Sequence, residues 1–330
     1  MNEMPLVSVI LPVRNEAGFI ERTLRTVFDQ TYPHEKTEII VADGMSSDQT
    51  CEIIKRLQAE NPNLHRIDNP GQIAATGLNA AILHARGEIV IRVDGHTEIE
   101  PDYVMQCVET LKRTKADNVG GKMSPVGHTL FAQAVCLATS TPFGIGGGRF
   151  HYSNNEEEVD TVYLGAWRKE IFDRIGFFDE NLVRNQDDEF NYRIRKGGGR
   201  IVLSPSIKSQ YHVRSSASKL WKQYFEYGFW KVRVLQKHPR QMSLRQFVPP
   251  FFAAAFLAAL VKALFFEQAM PLVLVGGAYA LANLTASAAA GAKYGFKKAL
   301  CLPAIFSILH FSYGTGFLWG LIRFSGKWKK

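Results

Sequence analysis

Through the first part of the chain, short apolar runs alternate with longer stretches whose apolar positions recur at helical spacing. LVSVILPV (Leu6–Val13), TEIIVADG (Thr37–Gly44), HRIDNPG (His65–Gly71) and GEIVIRVDG (Gly87–Gly95) read as strands, the third of them short and running into a turn. Between them, AGFIERTLRTVFDQ (Ala17–Gln30), SDQTCEIIKRLQAE (Ser47–Glu60) and AATGLNAAILHA (Ala74–Ala85) read as helices, the second opened by Ser/Asp caps. Alternation at this spacing predicts right-handed βαβ units and a parallel sheet covered on both faces. In such sheets ligands bind outside the carboxyl ends of the strands, which is where Pro12 to Glu16, Asp43-Gly44 and Asp94 to His96 fall.

The C-terminal pattern is different. Pro249–Phe266 and Met270–Ala290 carry one charge between them, Lys262, and Ala299–Ile322 carries none. Each approaches the ~20 residues needed to cross a bilayer. Basic residues at 237–245 and 293–298 lie on one side if the first two segments form a hairpin, in agreement with the positive-inside rule. The basic end RFSGKWKK conflicts with a third crossing, and Pro303, His310 and the SYGTG run suggest a broken, re-entrant or interfacial third segment.

With 330 residues and 46% hydrophobic composition, the chain is long and apolar enough for a large core and about two domains. The net charge of +8 conceals a strong asymmetry: residues 1–192 sum to −11, residues 193–246 to +12 and residues 247–330 to +7. An acidic head argues against nucleic acid as a partner, since phosphate-backbone binding wants positive charge on the recognition domain itself. A basic neck beside apolar segments suits an anionic cytoplasmic leaflet. The four cysteines form no CxxC pair, so neither zinc nor a disulfide framework is expected. The start MNEMPLVSVILPVRNE lacks the basic onset and apolar length of a secretory signal, which predicts a cytosolic head.

A lone aspartate at a strand end is usually a turn former or cap. Three acidic clusters at successive strand ends point instead to a ligand that carries negative charge, reached through hydrogen bonds to a ribose or base and a divalent cation that offsets a pyrophosphate. No GxGxxG follows the first strand and no GxxxxGK[ST] occurs, and GIGGGRF (Gly144–Phe150) reads as a mobile loop.

SVILPVRNE, EIIVADGMSSDQT, GLNAAILHARGEIVIRVDGHT, GFFDENLVRNQDDEFNYRIRKGG and YFEYGFWK, in that order, resemble the inverting nucleotide-sugar transferases of glycosyltransferase family 2. The VDGH run, GIGGGRF and the apolar tail resemble the ExoA-type β-glucosyltransferases of succinoglycan and related exopolysaccharide synthesis. The resemblance covers about residues 5–235. It implies a GT-A, Rossmann-like α/β catalytic domain over residues 1–235, followed by a basic aromatic neck over 215–246 and a membrane domain over 247–330. Ala42 stands where the family usually has the first aspartate of Val-Asp-Asp-Gly-Ser.

By the same resemblance, Pro12, Arg14, Asn15 and Glu16 shape the nucleotide pocket, with Glu16 near the ribose, Asp43 on the uridine and Asp94 facing ribose or metal-bound pyrophosphate. His96 occupies the place of the family's last metal-binding acid, so Asp94 and His96 become the expected ligands of a manganese or magnesium ion. The other reading of His96, a hydrogen bond that only steadies the strand end, stays open. The family's Glu-Asp signature aligns with Gln186-Asp187, which makes Asp187 the expected base and Asp188 the alternative if the alignment slips by one; Asp188 also suits a cap for the helix that follows. Gly165, Ala166 and Trp167 are expected to line the acceptor side, with a buried core position as the alternative for Trp167. In the neck, Tyr227 and Trp230 are expected to present the acceptor at the membrane surface.

The implied enzyme transfers a sugar, glucose from UDP-glucose by preference, to a polyprenyl-diphosphate-linked oligosaccharide at the inner (plasma) membrane, with its catalytic domain in the cytoplasm. Two alternatives remain: a polyprenyl-phosphate sugar synthase, and a non-catalytic membrane scaffold that binds nucleotide sugars.

Overall fold

The computed structural model describes residues 4–328. Its contacts divide the chain into two compact units: the chain up to Ser124 together with Arg149–His212, and Pro125–Gly148 together with Val213–Lys330. The helix Ala217–Lys237 and the segment before Arg149 therefore group with the C-terminal helices, which differs from a boundary near residue 235.

The first unit is built on a nine-stranded sheet: β1 (Val7–Val13), β2 (Thr37–Asp43), β3 (Leu64–Asp68), β4 (Ile89–Arg92), β5 (Thr97–Ile99), β6 (Asn118–Val126), β7 (Glu157–Glu158), β8 (Tyr163–Arg168) and β9 (Ile201–His212). The spatial order is β3-β2-β1-β4-β8-β6-β9-β5, with β7 paired to β9. β1 to β4 are parallel, as the alternation predicts. The other half is not: β8 runs antiparallel to β4 and β6, and β9 antiparallel to β5 and β7, so the sheet is mixed.

β1 shows why the parallel half is apolar on both faces. Val7, Val9, Leu11 and Val13 belong to one core cluster, with Ile20 and Leu24 of the helix Ile20–Phe28 and Ile54 and Leu57 of the helix Thr50–Glu60. Ile10 belongs to the cluster on the other face, with Leu78 and Ile82 of the helix Ala74–His84. A residue two along a strand returns to the same face. With helices on both sides, both sets must be apolar.

In the second unit, Leu244–Phe265, Met270–Tyr294 and Lys297–Arg323 are long and apolar enough to cross a membrane. The third is not interrupted where the sequence suggested: Leu302–Arg323 is one helix, with Pro303 in its first turn, where no intrahelical N–H is required. Its glycines are packing devices. A Cβ on Gly316 would lie 2.2 Å from the Phe225 carbonyl oxygen, one on Gly228 would lie 2.0 Å from that of Tyr313, and one on Gly320 would lie 2.7 Å from that of Phe229. The third helix and Ala217–Lys237 thus approach backbone to backbone through a small-residue seam. His310 is also accommodated, with Nε2 2.8 Å from the Phe143 carbonyl oxygen and Nδ1 3.0 Å from the Tyr279 hydroxyl. In its most apolar stretch 44% of the third helix's residues are buried within the protein, against 17% and 11% for the first two.

Candidate active site

Adjacent parallel strands bring three polar clusters to one rim, because β2, β1 and β4 are neighbours and Val13 lies in register with Asp43. Asn15 takes a left-handed backbone conformation, with φ at 55°. There its N–H donates to Ser46 Oγ at 2.9 Å and its Oδ1 accepts from Ser47 N–H at 2.8 Å, which sews the loop after β1 to the loop after β2. Pro12, next to last in β1, is half-buried and Arg14 is exposed. Asp43 is nearly closed off, at 1% exposure. Its carboxylate accepts from Ser46 Oγ at 2.5 Å and from the Cys51 thiol at 2.8 Å, and Arg66 approaches at 3.4 Å. Cys51 and Arg66 were not legible as members of this cluster, since nothing in their local pattern marks them.

At the end of β4, Arg92 is buried and grips Asp94 with two nitrogens, Nε to Oδ1 at 2.7 Å and Nη2 to Oδ2 at 3.1 Å. Its remaining nitrogen, Nη1, is buried without a hydrogen-bond partner. Burial alone would raise the Asp94 carboxyl, but the Arg92 charge outweighs it and holds the group below the ordinary aspartate value. The signal for Arg92 was present in the sequence: an arginine inside an apolar strand, two residues before an acid, must be neutralised where it sits.

Arg92 also feels Asp187. Asp187 stands in the first turn of the helix Gln186–Lys196, after Asn185 in the left-handed conformation. Burial raises its carboxyl; Arg92 pulls it back and Asp188 and Asp94 push it further, so the net direction is up. Glu189, in the same turn, is held by Arg193 with bonds of 2.8 and 3.0 Å. Within the first turn of that helix Asp187 Oδ1 accepts the Asp188 N–H at 2.8 Å.

His96 and Glu16 meet across the same rim, with Nδ1 3.1 Å from Oε1. Three of the expected acceptor-side residues lie on β8. Gly165, Ala166 and Trp167 are buried, and Ala166 and Trp167 pair with Ile91 and Val90 of β4. The Trp167 ring packs edge-on against Phe172, Phe178 and Phe190. The structure corrects the expectation: a strand inside a sheet covered on both faces has no surface to offer an acceptor. Tyr227 and Trp230 lie in the second unit, where Tyr227 meets the Tyr224 ring and Trp230 packs on Phe229 and Phe324.

Residues 8–176 match the Glycosyl transferase family 2 domain. The chain belongs to glycosyltransferase family 2. As a member of that family it is a glycosyltransferase of glycan or exopolysaccharide synthesis, with a GT-A domain and three apolar C-terminal helices. It is 29% identical to the succinoglycan biosynthesis protein ExoA of Rhizobium meliloti over 96% of this chain and 95% of that protein. It is 32% identical to the dolichyl N-acetyl-alpha-D-glucosaminyl phosphate 3-beta-D-2,3-diacetamido-2,3-dideoxy-beta-D-glucuronosyltransferase of Methanococcus voltae over 71% of this chain and 75% of that one. The fold is shared with the mannosyltransferase PcManGT of Pyrobaculum calidifontis, solved with GDP-Man and Mn2+, at a TM-score of 0.61 and 22% identity over 96% of this chain and 88% of that one.

Proposed function

We propose that this family 2 enzyme is an inverting transferase that moves a sugar, glucose from UDP-glucose in the first instance, to a lipid-linked glycan at the cytoplasmic face of the plasma membrane. The observation that carries the reading is the Asp94–Arg92–Asp187 cluster: a carboxylate held ionised at the strand end, a second carboxylate raised by burial, and one buried guanidinium acting on both.

Inversion needs a single in-line displacement, with one carboxylate to take the acceptor hydroxyl proton while the nucleoside diphosphate departs from the opposite face of the sugar. Asp187 is the proposed base. Its raised pKa suits the task, since a carboxylate desolvated in this way is a stronger proton acceptor than one in water. Asp43, Pro12, Arg14 and Asn15 are the proposed nucleotide-side residues. Asp43→Ala should weaken UDP binding in calorimetry, and unchanged affinity would remove Asp43 from the nucleotide pocket.

Among the described residues no three His, Cys, Asp or Glu side chains gather into a self-contained metal site. The donor set nevertheless fits a divalent cation that the chain holds with only two ligands. Asp94 keeps lone pairs beside its two bonds to Arg92, and a histidine whose Nδ1 faces a carboxylate keeps Nε2 for a metal. Asp94 and His96 would hold manganese or magnesium, and the ion would supply positive charge against the departing diphosphate.

A lipid-linked acceptor is supported by two things. The M. voltae relative's name places its acceptor on a dolichyl phosphate-linked sugar. The second unit joins apolar helices to a basic, aromatic helix suited to the headgroup layer. The deciding experiment is transfer by the purified full-length protein from a panel of UDP- and GDP-sugars to polyprenyl-diphosphate-linked oligosaccharides and, separately, to polyprenyl phosphate. Product on the oligosaccharide supports the reading. Product only on the lipid phosphate would replace it with a lipid-phosphate sugar synthase, and no product with any donor, despite nucleotide-sugar binding, would favour a scaffold.

A further inference from the structure

The resemblance placed Glu16 near the ribose, whereas in the structure its carboxylate turns to His96. Nδ1 of His96 lies 3.1 Å from Glu16 Oε1, and both side chains are about four-fifths buried, at 20% and 23% exposure. A carboxylate oxygen facing an imidazole nitrogen accepts, so Nδ1 is the donor of this pair and Nε2 is left outside it. The backbone of Glu16 is pinned as well: its N–H donates to Thr50 Oγ1 at 2.8 Å, and its carbonyl oxygen accepts from Phe19 and Ile20 N–H at 2.9 and 2.8 Å.

Three neighbours hold the pair in place. Gly95 leaves room for it, because a Cβ there would stand 3.1 Å from Glu16 Cγ and 3.0 Å from Val13 Cγ1. The imidazole is set edge-on to Tyr211 at 5.5 Å and to Phe19 at 6.5 Å. His96 is also close enough to Asp94 to act on its charge.

We infer that Glu16 is the positioning residue of His96: it fixes the tautomer and the ring so that Nε2 is presented to a divalent cation shared with Asp94. The inference rests on the cation reading above. On this inference the effect of Glu16 passes through the imidazole.

The test uses the full-length protein in detergent with Mn2+ and UDP, and reads imidazole-nitrogen coupling to manganese by pulsed electron paramagnetic resonance, with His96→Ala as the baseline. Wild type should show the coupling. Glu16→Ala should lose it, and Mn2+ affinity should fall roughly 10- to 100-fold, the usual effect of removing the partner behind a ligating histidine. Glu16→Gln, whose amide oxygen still accepts from Nδ1, should keep the coupling. If Glu16→Ala does not fold, Glu16→Asp withdraws the carboxylate by one methylene and carries the same expectation of lost coupling.

Retained coupling and affinity in Glu16→Ala, or in Glu16→Asp where that variant stands in, would overturn the inference and leave the cation reading intact. Coupling kept in Glu16→Ala and Glu16→Gln, together with weakened metal-free UDP binding in both, would return Glu16 to the ribose. Absence of coupling in the wild type would overturn both readings.

Discussion

Asp187→Asn should cut sugar transfer sharply while leaving donor capture untouched. The substitution keeps size and hydrogen bonding and removes the base, so single-turnover transfer at saturating donor should drop by on the order of 10² to 10⁴. UDP affinity should stay at the wild-type level. The raised Asp187 carboxyl sets the sign of two further effects. Wild-type transfer should decline, as pH falls, at values above the ordinary aspartate pKa of about 3.9, because the base is lost on protonation. A carboxyl whose folded pKa lies above its unfolded value costs stability once ionised, so the asparagine variant should melt no lower than wild type at neutral pH, and any advantage should vanish in acid. Asp188→Asn should cost far less, since Asp188 contributes its N–H to Asp187, and a side-chain change leaves that donor in place. A dead Asp188 variant beside a normal Asp187 variant would move the base by one residue. Normal turnover by both would dismiss this cluster as the seat of catalysis.

The second large effect is expected at Arg92. Its guanidinium is buried, binds Asp94 through two nitrogens and lowers both Asp94 and Asp187. Arg92→Met keeps an apolar body of similar length but leaves two carboxylates without their counter-charge. Removing one partner of a buried pair typically costs 3–5 kcal/mol, and with Asp94 partly open to water about 3 kcal/mol is expected here. For a unit of this size that corresponds to a melting temperature lower by roughly 6–12 °C. The pH dependence follows from the direction of the Asp94 shift. A depressed carboxyl gives stability that is present above its unfolded pKa and lost as pH falls through the folded one. The deficit of the variant should therefore be largest at neutral pH and shrink in acid. The acid limb of transfer should move the opposite way, to higher pH, because Asp187 loses the charge that pulled its pKa down. An equal deficit at neutral and acid pH would show that the pair carries no such linkage.

Much of the rim was readable before any coordinates. Asp43 and Asp94-Gly95-His96 end apolar runs, and Pro12 to Glu16 lie at the end of another; once those runs are neighbouring parallel strands, their ends must share one edge. The apolar C-terminal helices were equally plain from length and lack of charge. The misreadings share a cause. The glycines of SYGTG looked like helix breakers, because glycine is unfavourable in a helix that stands alone; in the packed unit Gly316 lets the helix meet Phe225 of Ala217–Lys237 and Gly314 lets it meet Pro249 and Ala253 of the first apolar helix, contacts that any side chain would block. Trp167 could be surface or core by type, and only its place on β8, between β4 and β6, puts the ring under Phe172, Phe178 and Phe190.

What the sequence determined by itself was therefore local: which runs extend, which coil, which are apolar enough for lipid, and which chemical groups stand at strand ends. These follow from periodicities of two and 3.6 residues and from the burial of apolar surface, both of which act within a segment. The pairings were decided by the tertiary structure. Arg92 acts on Asp94, two residues along the chain, and on Asp187, in a helix far along the chain; Glu16 reaches His96 across the ends of adjacent strands. No local pattern encodes which charges meet, since electrostatic energy depends on distance and desolvation in space, and both are set only when the sheet closes and its helices cover it.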